Sequence, residues 1–285
     1  MQGQCPCGQR LPQAIPADGC AYCMVFYGCD AEYLLLALVV ARRLTRLEAM
    51  RPLIVLPTND VPHRFKRAFK KAGCLVQKPV EYLLMHPALL RRPQGRHSKV
   101  LTKLLCLGLK IPKLRKLLLV DSDILPRQSL HRLFMYDAPA AKLMPANFDY
   151  RSCCLPGQKV PGWMLNVSDV DGVGNRFNAG VMVLEPDCDL LGHLAKEADP
   201  KRKLFQRDGT IAPSEATQEP RRVIVQDIFG GLWNSSGTPD EDLLTRGMRK
   251  LRPHKEWTHI GAGLCSLPMV VRVLQLMGKW LIILI

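Results

Sequence analysis

Short apolar runs alternate along the chain with longer segments in which apolar residues recur every three or four positions. Residues 21–28 (AYCMVFYG) predict a buried strand, and the following DAEYLLLALVVARRL has the length and composition of a helix packed on a sheet. LIVLPT (53–58) predicts a second strand. NDVPHRFKRAFKKAG then predicts a helix, with Asn59 or Asp60 as its cap, Pro62 in the first turn, Phe65 and Phe69 on one face and Gly73 as its stop. CLVQKPV is a weaker third strand. HSKVLTKLLCLGL (97–109) reads as another helix and KLLLVDSD as the central strand. FNAGVMVLEP (177–186) reads as a further buried strand, and DCDLLGHLAKEA as the helix after it. Residues 198–222, rich in charge, Pro, Thr and Ser, read as an exposed insertion, and VQDIFGGLW as a short helix or turn.

Strands alternating with helices imply an α/β domain whose mainly parallel central sheet is covered by helices on both faces. The 285 residues, 47% of them hydrophobic, suffice for one such core. The pattern divides the chain into a cysteine-containing extension (1–20), the α/β domain (21–263) and an apolar C-terminal segment (264–285). That last segment holds Arg272, Gln275 and Lys279 and falls short of the ~20 residues a spanning helix needs, so no stable membrane span is expected. No charged start followed by an apolar run opens the chain. Cytoplasm is therefore the expected compartment, with the Golgi lumen the alternative if a leader precedes this N-terminus.

Lys and Arg number 40 against 25 Asp and Glu, which predicts a surface attractive to phosphates and acidic polymers. The basic clusters (RPQGRHSK, KLRK, PKRKLFQR, RGMRKLRPHK) lack aromatic interleaving or a nucleic-acid motif, so specific nucleic-acid binding is not expected. The eleven cysteines are too irregular for a disulfide scaffold and are read as mostly reduced. Cys5, Cys7, Cys20 and Cys23 form a CxC then a CxxC, a spacing that can hold zinc. Cys23 also falls inside the first predicted strand, where a small buried thiol is ordinary.

The chemistry concentrates in LLLVDSDILP (117–126). In an extended segment, residues two apart point the same way, so Asp121 and Asp123 would project together with Ser122 turned away. Ionised carboxylates leaving water need a cationic partner, a proton or a metal ion. Ligands of parallel sheets gather at the carboxyl ends of strands, where these aspartates fall. A hard divalent cation, Mg²⁺ or Mn²⁺, held by one or two carboxylates completes its shell with water and phosphate oxygens. A nucleoside diphosphate is the natural guest, and loss of that diphosphate from a sugar is the chemistry such an ion promotes.

AYCMVFYGCDAEYLLLALVVARRL, LTKLLCLGL, KLLLVDSDILPRQSLHRLF, RFNAGVMVLEP and VQDIFGGLWN occur in the order and rough spacing of glycosyltransferase family 8. The chain resembles its glycogenin-like branch from about residue 20 to 235, and more loosely to 263. The resemblance implies the nucleotide-diphospho-sugar transferase (GT-A) fold, a UDP-sugar donor, Mn²⁺ and retaining hexosyl transfer to a hydroxyl acceptor. On it, Asp121 and Asp123 hold the metal with His259 as third ligand, and Ser122 lies in the donor-binding stretch. Lys103 contacts the donor and adds positive charge, and Asn178 and Ala179 face its sugar. Val25 and Tyr27 belong to the strand whose end forms the base pocket, and Tyr33 stacks on the uracil. Gln226 lies under the reacting sugar, with Asp227 beside it. A homodimer is one option for assembly.

Two stretches depart from the family pattern. Val225 stands where the motif has an acidic residue before Gln226, and Asp227 follows instead. After His259 the chain reads IGAGLCSLPM, without the family's Lys and Pro-Trp. Two alternatives therefore stand beside transfer: a catalytically impaired module that binds nucleotide-sugar, and a basic scaffold for polyanions.

Overall fold

The structure is a computed structural model that describes residues 14–86, 99–124, 126–144, 155–162, 165, 176–201, 224–226, 232–234, 239–260, 273–276 and 279–282. Strand β1 (Cys20–Phe26) is buried along its whole length. Helix α1 (Ala31–Leu47) starts where the Asp30 carboxylate accepts from the Glu32 and Tyr33 amides, which satisfies donors that the first turn leaves unpaired. Strand β2 (Leu53–Pro57) follows, then α2 (His63–Lys71) and the short β3 (Leu75–Val76).

The expected cap of α2 is not what forms. Pro62 occupies the cap position without a side-chain bond. Asp60 instead accepts from the Thr58 hydroxyl, the Tyr82 hydroxyl and the Gly28 amide, partners that hold it in the loop. Gly73 does stop the helix, at a φ of 88° that a side chain would resist.

The predicted helix over 97–109 is a 3₁₀ segment at Val100–Gly108. Its threefold repeat buries Leu101, Leu104 and Leu107 along one edge. Strand β4 (Lys116–Val120) lies beside β1 in parallel register, with Leu119 opposite Cys23. Then come β5 (Ala140–Met144), β6 (Lys159–Pro161), β7 (Arg176–Leu184) and helix α3 (Cys188–Ala198). Asp187 caps α3 by accepting from the Leu190 amide.

VQDIFGGLW contributes strands rather than a helix. β8 (Ile224–Gln226) pairs antiparallel with β9 (Leu232–Asn234), apart from the main sheet; β-branched Ile224 and Val225 favour that extended form. Helix α4 (Pro239–Leu251) and strand β10 (Glu256–His259) follow. β11 (Val273–Leu276) and β12 (Lys279–Ile282) pair antiparallel at the end of the chain. The expected insertion lies almost wholly outside the described residues, beyond Asp199 to Lys201. None of the described helices is long and apolar enough to cross a membrane.

The main sheet runs β3-β2-β1-β4-β7-β5-β10-β6. Pairings are parallel from β3 to β4 and between β5 and β10, whereas β7 runs antiparallel to both neighbours. That reversal brings the start of β7 to the carboxyl end of β4, with Val181 opposite Val120. Two apolar layers flank the sheet. Tyr22, Met24 and Phe26 of β1 pack with α1 and α2, including Phe65 and Phe69. Ala21, Cys23 and Val25 point the other way, into a layer with the 3₁₀ segment, α3 and α4. Cys20 and Cys23 thus fall in different layers, so the two cannot ligate one zinc ion together.

Candidate active site

β4 ends at Val120, and the Asp121 amide donates to the Gly180 carbonyl at 2.9 Å. The chain then turns, with the Ile124 amide 3.3 Å from the Asp121 carbonyl. Asp-Ser-Asp is therefore a turn rather than the extended segment the apolar run predicts, because the sheet pairing stops at Gly180. The turn separates two environments. The Asp121 side chain keeps about a third of its surface open (33%), whereas Asp123 is exposed. Ser122 is half-buried between them.

Asp121 Oδ2 accepts from the Lys103 ammonium at 3.0 Å. Lys103 Nζ also lies 3.1 Å from Asp240 Oδ2 and 3.5 Å from the Ala179 carbonyl, giving each of its three N–H donors an acceptor. Only 9% of Lys103 is exposed. Burial opposes its charge, but Asp240 and Asp121 outweigh that and hold the lysine above its ordinary range. For Asp121 the balance goes the other way. Loss of solvent pushes its carboxyl up to about 6 against the pull of Lys103, with the Asp240 and Asp123 charges adding to the rise.

Glycine at 180 is what lets these groups meet. A Cβ there would stand 2.9 Å from Ile124 Cδ1, 3.0 Å from Asn178 Oδ1 and 3.6 Å from Asp121 Oδ2. Asn178 is exposed, with its side-chain oxygen accepting from the Gly180 amide at 3.0 Å. Ala179 is buried, and its amide donates to Glu241 Oε1 at 3.3 Å. Phe177, one residue earlier, stacks on Trp257 with ring centroids 4.3 Å apart, which fixes the start of β7 against β10.

Asp240 and Glu241, on the first turn of α4, are site residues that the sequence reading did not single out. Their signal was Pro239-Asp240-Glu241-Asp242 ahead of Leu243-Leu244, a proline and three acids opening a helix. Gln226 sits on the separate β8–β9 hairpin, and Asp227 lies outside the described residues.

His259 is already engaged by a neighbouring strand. It is 3% exposed at the end of β10, and its Nδ1 accepts from the Leu143 amide at 3.0 Å. That bond assigns the ring proton to Nε2, so the imidazole as arranged presents no free lone pair to a cation. Burial, reinforced by Lys142, holds it below its ordinary range and therefore neutral. Among the described residues no three His, Cys, Asp or Glu side chains gather as a metal-holding group.

At the carboxyl end of β1, Tyr27 meets Tyr82 edge to face with centroids 6.3 Å apart. Lys99 Nζ stands 4.5 Å from the Tyr82 ring centre. Tyr82 is a second aromatic that the sequence reading passed over. Val25 faces the core instead, and Tyr33 is half-buried on the first turn of α1, packed on the α1–α2 layer.

Oxygen ligands suit a hard divalent cation. Asp121, open on one side and crowded by like charges, together with exposed Asp123, fits such an ion as far as two carboxylates can.

A mixed sheet with an acidic turn after its central strand, met by the start of an antiparallel neighbour, is the GT-A arrangement of nucleotide-sugar transferases. The sequence profile of glycosyl transferase family 8 matches residues 24–189, more than half of the chain. The chain belongs to that family. A comparison with curated proteins finds no significant match.

Among solved structures, the chain is similar to galactosyltransferase LgtC in complex with donor and acceptor sugar analogs, at 19% identity over 57% of each chain (TM-score 0.39). It is also similar to mouse xyloside xylosyltransferase 1, at 17% identity over 61% of this chain and 71% of that one (TM-score 0.38). Core-mannan synthase A from Aspergillus fumigatus, in its Mn/GDP form, is 12% identical over 62% of this chain and 64% of its own (TM-score 0.39). The match spans 57% of the LgtC chain, less than two thirds of it.

Proposed function

We propose that this chain is a retaining glycosyltransferase that moves a hexosyl group from a UDP-sugar to a hydroxyl acceptor. One observation carries the reading: Lys103, Asp121, Ala179, Gly180, Asp240 and Glu241 converge at the carboxyl end of β4. Asp121 and Asp123 are the residues that would hold Mn²⁺, or Mg²⁺ in its place. When bound there, the ion supplies charge neutralisation on the departing diphosphate.

The chain's own groups do the rest. Lys103 brings positive charge to the place where negative charge grows, fixed beforehand by Asp240. Asn178 presents an amide that can both donate to and accept from sugar hydroxyls. Glu241 steadies the Ala179 peptide. Tyr27 and Tyr82 offer a wall for the base. The acceptor hydroxyl attacks from the face that the diphosphate leaves, and the diphosphate helps to take its proton.

A second reading, a module that binds nucleotide-sugar without turnover, draws on the engaged His259 imidazole and on Val225. Hydrolysis of UDP-sugars with Mn²⁺, wild type against Asp123→Asn, separates the two. Mn²⁺-dependent sugar release that the substitution removes upholds transfer chemistry. UDP binding without any release favours the module.

A further inference from the structure

Helix α2 plays no part in the site described, yet its composition is extreme. His63, Arg64, Lys66, Arg67, Lys70 and Lys71 make up six of its nine residues, and it contains no acid. Phe65 and Phe69 are buried and seat the helix on the sheet. His63, Arg64, Arg67, Lys70 and Lys71 are exposed. With 3.6 residues per turn, these five fall within about 120° of the circumference, opposite the two phenylalanines. At ~1.5 Å per residue they cover about 12 Å of helix length.

Among the described residues these charges have no acidic partner. Elsewhere Arg51, Lys159, Arg252 and Lys255 each form an ion pair with an acid. Among the described residues none of the basic side chains of α2 does; Arg64 lies over the Phe65 ring at 5.4 Å and makes no ion pair. Crowding four permanent cations on one ridge is unfavourable for the isolated chain, and an anionic partner relieves it.

We infer that this ridge binds an anionic polysaccharide, carboxylated or sulfated. Three observations choose that occupant. The exposed arc carries no apolar side chain, so it has nothing to insert into a bilayer or to seat an amphipathic helix. Its one aromatic side chain, His63 at the first position, is a single ring rather than the run of aromatic faces on which successive bases stack. The charges spread over a convex face about as wide as it is long rather than lining a pocket, which suits a polymer laid across them better than a small anion. The placement adds a reason. α2 begins three residues after Asp60, which bonds Gly28 and Tyr82 at the carboxyl end of β1. A chain lying along α2 therefore has one end directed to the donor side of the sheet. In this the inference rests on the proposed glycosyl transfer, for which the bound polymer is the acceptor.

The test uses the full chain, with polygalacturonate and dextran sulfate as probes and neutral dextran as control, titrated at several salt concentrations. Arg64, Arg67, Lys70 and Lys71 are replaced together by glutamine; a control variant carries glutamine at exposed Lys110, Arg127, Arg132 and Lys201, removing equal charge elsewhere. The α2 variant is expected to bind the anionic polymers at least about tenfold more weakly, with a shallower salt dependence, while the control stays within about twofold of wild type. Both should retain Mn²⁺-dependent UDP-sugar hydrolysis. Equal loss in both variants, which would reduce the effect to net charge, overturns the inference. So does an α2-dependence seen only with anionic vesicles or RNA, or no polymer binding by wild type. Asp121→Asn should remove hydrolysis and leave polymer binding intact. If wild type binds polymer through α2 but releases no sugar from any UDP-sugar, the surface stands and the transferase reading falls.

Discussion

Replacing Lys103 by methionine keeps most of the side chain's volume and removes one ammonium from between two carboxylates. In the native site that ammonium is 3.0 Å from Asp121 and 3.1 Å from Asp240. Lys103 and Asp240 are shielded from water and Asp121 keeps about a third of its side chain open, so the loss leaves two like charges facing each other without compensation. Breaking a buried pair in this way costs about 3–5 kcal/mol. The deficit should also depend on pH. Asp121 already titrates at about 6 with the lysine present, and without it the carboxyl rises further. A group that holds its proton more tightly folded than unfolded adds stability as pH falls, by up to about 1.4 kcal/mol per pH unit. Lys103→Met should therefore lose the full amount at pH ~7.5 and recover part of it by pH ~5. Urea denaturation of both proteins at the two pH values reads this directly. A deficit below about 1 kcal/mol, or one equal at both pH values, would refute the claim that Lys103 neutralises these carboxylates.

Further outcomes follow from the same geometry. Gly180→Ala places a methyl group within 3.0 Å of Ile124 and Asn178 and 3.6 Å from Asp121, so UDP-sugar affinity should fall at least about tenfold while Tm drops only a few degrees, by calorimetry and thermal melts. Trp257→Ala removes a fully buried ring stacked on Phe177 and should cost about 3–5 kcal/mol in urea denaturation. Mn²⁺ affinity should decline as pH falls through about 6, because protonated Asp121 is no longer an anionic ligand; paramagnetic resonance of free Mn²⁺ measures it. Asp18 is held below its ordinary range chiefly by its bond to Arg51. Its contribution, at most about 1 kcal/mol on this open surface, should be present above pH ~4 and lost below, so Asp18→Asn should matter only above that pH.

The strand-and-helix order was legible because burial imposes periodicity: β1, α1, β2, α2, β4, β7 and α3 each fall where the apolar pattern places them. The antiparallel course of β7 was not legible, since a strand buried on both faces reads alike in either direction. The 3₁₀ form of Val100–Gly108 differs from an α-helix only in how its repeats stack, which a nine-residue apolar stretch does not reveal. In the site, Asp121 and Lys103 announced themselves through motif and position. Asp240 and Glu241 did not, because acids opening a helix are ordinary caps until tertiary packing sets them against Lys103 and Ala179. His259 shows the converse. The family resemblance implied a ligand there, and only the structure shows its Nδ1 accepting from a strand amide.

UDP titrated into the full chain by calorimetry, with and without Mn²⁺, and repeated for Asp121→Asn and Asp123→Asn, tests the central claim most directly. The account predicts binding that requires Mn²⁺ and is lost in both variants. Equal UDP affinity in the absence of any divalent cation, or in either variant, would contradict it.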